Sequence, residues 1–154
     1  MPSFIIEIQG LKEMQTAFNK SPVAVGKILE KATIMSGEVI KGSVMREAPR
    51  GETGRLRDYI TAEYRPIQVV VKPGVNYAIF VHEGTKPHFP PITAVSKWAL
   101  RRGINPWALA VTMARKGTKE NPFMDRAVKN INRTKRVQEI FNEALGQIIN
   151  ELTK

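Results

Sequence analysis

Residues 22–47 read PVAVGKILEKATIMSGEVIKGSVMRE, and this stretch decides the fold. Its apolar side chains recur every three or four residues, at Val25, Ile28, Ala32, Met35 and Val39. That spacing is typical of one face of an α-helix. Ser21 followed by Pro22 suits the position before a helix and its first residue, and Pro49 cannot continue one. The sequence therefore predicts a helix from Pro22 to about Glu47.

The predicted helix is long for a chain of this size. At 1.5 Å per residue it measures about 39 Å, more than a compact domain of 154 residues needs for itself. We therefore expect part of it to pack on something else. Before it, residues 4–9 are rich in isoleucine and predict a short strand that ends at Gly10, and Leu11, Met14 and Phe18 continue the helical spacing.

A small sheet is predicted after the long helix. Residues 49–58 contain turn formers and charges, which indicates an exposed loop. β-Branched and aromatic residues follow, and they predict three antiparallel strands, at 59–65, 67–72 and 77–82. Residues 73–76 are expected to connect the last two as a hairpin. Residues 84–91 contain three prolines and a glycine, so the chain should leave the sheet there as an extended segment.

Three helices are predicted in the second half. Thr93 is a candidate cap for a helix at 94–102, which Gly103 would end. Asn105 and Pro106 suit the start of the next helix. Trp98 and Trp107 are expected to pack in a core, and the alternative is that they anchor an interface. A C-terminal helix is predicted over residues 122–152. Strands clustered between helical runs favour a single α+β domain.

Composition excludes several classes of protein. Hydrophobic residues make up 42% and charged residues 25%, which is ordinary for a globular domain. The absence of cysteine rules out disulfides and thiol chemistry and fits a cytosolic protein. Neither a signal peptide nor an uncharged run of 18 apolar residues occurs. We therefore expect a protein that is neither exported by a classical signal nor membrane-spanning.

The positive charge is concentrated in the middle of the chain. The net charge is +10, and residues 49–127 carry thirteen Lys and Arg against six Asp and Glu. The candidate binding residues are the basic ones in loops and at helix ends: Arg50, Arg55, Arg57, Arg101, Arg102, Arg115, Lys116 and Lys119. They could contact DNA phosphates, pair with acidic neighbouring subunits, or be solvated surface. The eleven aromatic residues do not alternate with these positions, so base readout is not expected.

Catalytic chemistry finds little support. His82, Glu83 and His88 resemble a zinc-protease motif, but the histidines are six residues apart with Gly84 and Pro87 between them, where no helix can run. No Gly-x-Ser-x-Gly elbow and no Gly-rich phosphate loop is present. We therefore predict no enzymatic activity, no metal and no cofactor.

Four stretches together resemble a known family. In order, they are Ala48-Pro49; TGRLR at 53–57, followed by Ile60; YAIFVHEGT at 77–85; and PFMDRA at 122–127. They are similar to the tail-component family of lambdoid long-tailed bacteriophages, whose members are head-tail joining proteins of the neck or tail-completion type. The residues between the last two stretches resemble a helical insertion found in some members. One departure is Tyr59, where many members have serine.

The resemblance implies a structural subunit of the virion's head-tail junction, made in the bacterial cytoplasm. It would assemble as a ring, expected to be a hexamer, between the head connector and the tail tube or tail terminator. Arg50, Arg55 and Arg57 would face the DNA passage or an acidic partner, on a loop that stays free until assembly. Gly54, Gly84 and Pro122 are the expected turn positions. The alternative is a nonspecific nucleic-acid-binding module.

Overall fold

The computed structural model describes residues 4–5 and 22–152. The secondary-structure elements of this part are β1 Phe4–Ile5, α1 Pro22–Glu47, α2 Arg55–Asp58, β2 Ile60–Arg65, β3 Gln68–Pro73, α3 Ala78–Glu83, α4 Ile92–Arg101, α5 Pro106–Lys116, α6 Phe123–Thr134 and α7 Arg136–Leu152. The predicted α+β class is confirmed. The predicted cap at Ser21, the helical segment around residues 11–18 and the strand beyond Ile5 lie outside the described residues.

Helix α1 has the predicted bounds and forms the centre of the fold. Its C-terminal half, at Ile40 and Val44, packs in one core with the sheet and α6. Its small residues let neighbouring elements come close. A Cβ atom at Gly37 would lie 2.6 Å from Cε1 of Tyr64 and 2.8 Å from Cγ2 of Val69, so this glycine sets the distance between helix and sheet.

The N-terminal half of α1 is covered by α7 of the same chain. Val25 and Leu29 form a buried cluster with Ile148, and Ala32 forms another with Ile140 and Ala144. Burying a side chain such as Leu29 stabilises the fold by about 1.5–3 kcal/mol. The expectation that the long helix needs something else to pack on is therefore wrong over this half, since the chain's own C-terminal helix supplies the neighbour.

The sheet has three antiparallel strands in the order β1-β3-β2. Strands β2 and β3 form a hairpin in which Arg65 pairs with Gln68, so the turn is at Pro66 and Ile67. Side chains along β3 alternate between buried and half-buried, with Val69 and Val71 in the core. On the other edge of β3, β1 pairs through Phe4 opposite Val71.

The predicted strand at 77–82 is wrong, because this segment is helix α3. The ladder ends at Pro73, and the Gly74 N–H then donates to the carbonyl oxygen of Tyr59. A helical turn places Ala78 in the core with Val81 packed against it, three residues apart on one face. The sheet thus covers 60–73 and β1 rather than 59–82. Strand propensity yields here to packing against the core.

The predicted C-terminal helix at 122–152 is divided into α6 and α7. Lys135 lies between them with φ of 54°, in the left-handed region, and its N–H donates to the carbonyl oxygen of Ile131. The change of direction allows two different contacts. Phe123, Met124 and Ala127 of α6 join the core beside the sheet, whereas α7 covers the far half of α1.

Helix α6 is also fixed to the end of α1 by a polar cluster. The Arg126 guanidinium donates to Oε2 of Glu47 at 3.0 Å, to the Glu47 carbonyl oxygen at 3.1 Å and to Oδ1 of Asn121 at 2.6 Å. Carbonyls in the last turn of a helix have no partner within the helix. Arg126 therefore closes the C-terminal end of α1 and holds the start of α6 against it.

Candidate functional site

Residues 85–119 form a helical hairpin, which we call the arm; its two helices, α4 and α5, pack on each other. The arm joins the rest of the molecule through a narrow neck at Thr85 and Thr118. These residues exchange two backbone hydrogen bonds of 3.2 Å, and their hydroxyl groups lie 3.0 Å apart. The neck therefore holds both ends of the arm together.

Two glycines make this neck possible. Gly84 has φ of 77° and Gly117 has φ of 72°, both in the region that favours glycine. A Cβ atom at Gly84 would overlap the carbonyl oxygen of Thr118, and one at Gly117 would overlap that of Thr85. Because the opposing atoms are backbone, no side-chain movement can relieve either overlap.

The starts of the two arm helices differ. Oδ1 of Asn105 accepts hydrogen bonds from the N–H groups of Trp107 at 2.8 Å and Ala108 at 3.4 Å, so the predicted cap of α5 is present. Thr93 does not cap α4, which begins at Ile92 with Pro91 before it. A proline that fixes φ provides the start there instead of a side-chain cap.

The apolar residues of the arm are only partly buried. Its buried apolar residues are the small ones Pro90, Ala99 and Ala110, while Trp107 is 58% exposed and Phe89 is 51% exposed. These two rings lie edge to face, with centroids 5.6 Å apart. The expectation that Trp107 packs in a core is wrong. Trp98 is half-buried and carries the Arg102 guanidinium over its ring at 4.1 Å.

The arm contains much of the positive charge of the protein. Residues 85–119 include seven Lys and Arg and no Asp or Glu, whereas the other residues carry seventeen Lys and Arg against fourteen Asp and Glu. The arm therefore accounts for +7 of the net +10. Such one-sided charge creates a local potential that attracts polyanions.

Most of the cations of the arm have no partner within the described part of the chain. Arg101 pairs with Glu52 at 3.3 Å, and Arg102 stacks on Trp98. The remaining five are exposed, and their side chains make no hydrogen bond or ion pair with another described residue: Lys86, Lys97, Arg115, Lys116 and Lys119. Their charges are available to a ligand.

The arginines of residues 49–58 behave differently. Arg57 donates to the carbonyl oxygen of Ala48 at 2.8 Å and to that of Arg46 at 3.4 Å, at the end of α1. Leu56 is buried, and Arg55 lies over the Tyr59 ring at 5.6 Å. The predicted exposed loop thus contains the short helix α2. Because Leu56 and Arg57 are held by the rest of the fold, they do not support a loop that stays free until assembly. Arg50 remains exposed.

The predicted turn residues lie where the chain changes direction. Gly54 precedes α2 with φ of 71°, and Pro122 precedes α6. Of the eight basic candidates, five lie in the arm and three in residues 49–58, and the pair Arg101–Glu52 links the two regions. The structure therefore does not gather them into one cluster.

A groove of about 1000 Å³ separates α3 from the base of the arm. Its lining is mostly apolar and includes Pro49, Tyr77, Phe80, His88 and Met113. Phe80 is 59% exposed and Tyr77 is 43% exposed. Lys86 and Lys119 also line the groove, together with Glu83, so its charged residues sum to +1. The groove can accept an apolar segment of a partner.

The histidines occupy two separate settings. The His82 ring stands edge-on to Phe123, with centroids 5.5 Å apart, and its Nε2 lies 3.8 Å from Oδ2 of Asp125. Nδ1 of His88 lies 3.0 Å from the carbonyl oxygen of Lys86. Within residues 22–152 no group of three or more His, Cys, Asp or Glu side chains is placed to hold a metal ion.

Comparison with known proteins yields a family match over the first half of the chain. Residues 12–84 match the family model described as "Bacteriophage HK97-gp10, putative tail-component". This match confirms the resemblance to phage tail components over that segment. The match ends at Gly84, where the arm begins. Neither the curated proteins nor the solved structures gave a match.

Two further observations bear on the site. Among the helices of the described residues, none combines the length and apolar character needed to cross a membrane. The sequence interpretation missed the separation of charge between the arm and the rest of the molecule. The signal was present, since no acidic residue occurs between Glu83 and Glu120. The commitment of Arg57 to backbone carbonyls had no such signal.

Proposed function

We propose that this protein is a structural subunit of the phage head-tail junction, which forms a ring around the DNA passage and connects head to tail without catalysing a reaction. Its partners would be further copies of itself, the head connector and the tail-tube or tail-terminator protein. The match of residues 12–84 to phage tail components supports the general class. The ring and its position in the neck are the finer part of the proposal.

The observation that carries the ring is the exposed apolar surface on α3 and the arm. Its large side chains, with their exposed fractions, are Leu100 67%, Phe80 59%, Trp107 58%, Phe89 51%, Tyr77 43% and Ile104 37%. Isolated soluble proteins rarely expose so many large apolar groups in neighbouring elements, and such surfaces mark protein contacts. Subunit contacts would cover them.

A ring uses two different patches on each subunit, and the rotation between neighbours fixes the number of copies. The groove beside Phe80 and Tyr77 provides a concave patch, and the exposed rings of Phe89 and Trp107 provide a second, different one. Unlike patches of this kind suit head-to-tail contact. The resemblance to head-tail joining proteins favours six copies.

Light scattering tests the ring directly. The purified protein, alone or mixed with tail tubes, should show the mass of a closed ring. Phe80→Ser should reduce the mass toward that of a monomer. Ile67→Ser is the matched control, since Ile67 is 44% exposed at the turn between β2 and β3, away from the groove. A monomer at every concentration and with every partner would contradict the proposal.

The charge of the arm favours a second candidate, a nonspecific nucleic-acid-binding module. Its seven cations without a single carboxylate suit phosphate contact. The two candidates differ in assembly. Tight, salt-sensitive binding of random duplex by a monomer that never forms rings would favour the second one.

A further inference from the structure

We propose that the arm is the part of the subunit that binds the phosphate backbone of duplex DNA, while Arg57, in residues 49–58, mainly stabilises the fold. This inference rests on the proposed function, which brings DNA next to the subunit. It divides the eight basic candidates by what their side chains contact.

The basic side chains differ in whether they are free to contact a phosphate. Arg57 is engaged with the carbonyl oxygens of Ala48 and Arg46. Six of the seven cations in the arm are exposed and have no ion pair within the described residues, and of these only Arg102 has another contact, its stack on Trp98. A phosphate contact at Arg57 would break existing hydrogen bonds, whereas one at Arg115 or Lys116 would cost only the ordering of the side chain.

The cations of the arm lie near both of its ends. Arg101 and Arg102 follow each other at the end of α4, whereas Lys86, Arg115, Lys116 and Lys119 surround the neck. Ten residues of α4 separate the two ends by about 15 Å. Duplex DNA carries one negative charge per roughly 1.7 Å of its axis, so about nine charges lie along that length. Both ends of the arm can therefore meet phosphates at once, because the Arg101 side chain is 67% exposed and its surface pair with Glu52 can be exchanged for a phosphate at little cost.

The carboxylates of a second copy of this chain do not suit the role of the main polyanion that the arm binds. Twelve carboxylates lie within the described residues, and at least six of them already have partners in the same chain: Glu38 with Tyr64, Glu47 with Arg126, Glu52 with Arg101, Glu63 with Lys72, Asp125 with His82, and Glu139 with Arg136. The rest are spread over several elements. Over residues 22–152, a neighbouring copy therefore offers no dense negative surface to the arm.

The aromatic side chains of the arm favour duplex DNA over single-stranded DNA as its ligand. Proteins that bind single strands stack bases on free aromatic faces. The Arg102 guanidinium covers a face of Trp98, and the exposed rings of Phe89 and Trp107, which lie edge to face, would be covered by a neighbouring subunit in the ring. The arm therefore suits backbone contact, which depends on charge, better than base stacking.

Binding of a fluorescein-labelled 30-base-pair random duplex to the full-length protein tests this inference. Anisotropy at several salt concentrations gives both the affinity and its salt dependence. The arm variant Lys97→Gln/Arg115→Gln/Lys116→Gln removes three unpaired cations. We expect at least about tenfold weaker binding near 0.1 M salt, and a salt slope that is smaller by about one for every phosphate that is no longer neutralised.

The control variant Lys27→Gln/Lys31→Gln/Lys129→Gln removes the same charge from exposed positions on α1 and α6. It should weaken binding much less than the arm variant does. Tryptophan emission provides a second readout, because the only two tryptophans, Trp98 and Trp107, both lie in the arm. Duplex DNA should change this emission in the wild type and in the control variant.

The outcomes separate this inference from the ring. Equal weakening by the two variants, or wild-type binding by the arm variant, would overturn it even when light scattering shows rings. Polyglutamate of matched charge that displaces the duplex at equal concentration would also overturn it, in favour of an acidic protein partner. Loss of DNA binding in the arm variant alone would support it, including in a protein that stays monomeric and so contradicts the ring.

Discussion

The arm and the rest of the molecule, which we call the body, use their residues in opposite ways. The body buries Phe123, Met124, Ile40 and Val71, and many of its charges are paired within the chain. The arm fully buries only small residues, Pro90 and two alanines, and leaves Phe89, Trp107 and its cations exposed. The unpaired positive charge is therefore concentrated where the chain contributes least to the core.

The largest predicted effect is the difference in unfolding free energy between a substitution in the body and one in the arm. Phe123→Ala removes a fully buried ring from the body and should lower the free energy of unfolding by about 3–5 kcal/mol. Trp107→Ala removes a large ring from the arm that is 58% exposed, and it should cost less than about 1 kcal/mol. Urea denaturation followed by circular dichroism measures both. Similar costs would show that the arm is part of the core.

The next largest loss of stability should follow a substitution in the neck between the arm and the body. Gly117→Ala places a Cβ atom against the backbone of Thr85 at a positive φ, and we expect a loss of about 2–3 kcal/mol. Gly103→Ala is the control, since φ is 67° there but no atom lies within 4 Å of the added Cβ. It should cost about 1 kcal/mol. Equal losses in urea denaturation would mean that the neck is not tight.

A smaller effect should appear inside the body. Gly37→Ala pushes on Tyr64 and Val69, so overpacking should cost about 1–3 kcal/mol. Gly42→Ala on the same helix meets only Nη1 of Arg46, at 3.8 Å, and it should stabilise the protein by about 0.5–1 kcal/mol. Thermal denaturation distinguishes the two signs. A stabilising Gly37→Ala would show that α1 and the sheet do not approach closely.

The smallest effect sharpens the division of the basic residues. Arg57→Ala removes hydrogen bonds to two backbone carbonyls and should cost about 1 kcal/mol. Arg50→Ala, two residues after the last of those carbonyls, should leave the unfolding free energy within about 0.5 kcal/mol of the wild type. Chemical denaturation provides both values. A neutral Arg57→Ala would return Arg57 to the candidate ligand-binding residues.

Local signals explain what the sequence could predict of the fold. Helix α1 could be predicted because its apolar spacing and the prolines at 22 and 49 agree. The helix at 78–83 could not, since its residues favour strands, and only burial of Ala78 beside Val75 and Phe123 decides the outcome. The break at Lys135 has no turn-forming residue, because it depends on the separate contacts of α6 and α7.

The candidate site also has some features that the sequence could predict and others that it could not. The charge of the arm is a property of composition and could be predicted from the sequence. The roles of Arg57 and Arg126 depend on carbonyl groups at the end of α1, which only the folded chain brings within reach. Trp107 also had no local signal of its exposure, since its apolar neighbours suit a buried helix equally well.

Cryo-electron microscopy of intact particles of the phage tests the central claim most directly. We predict a ring of this protein at the junction of head and tail, with the arm of each subunit turned toward the DNA in the passage. A junction that lacks the protein, or a ring whose arms point away from the DNA, would contradict this account.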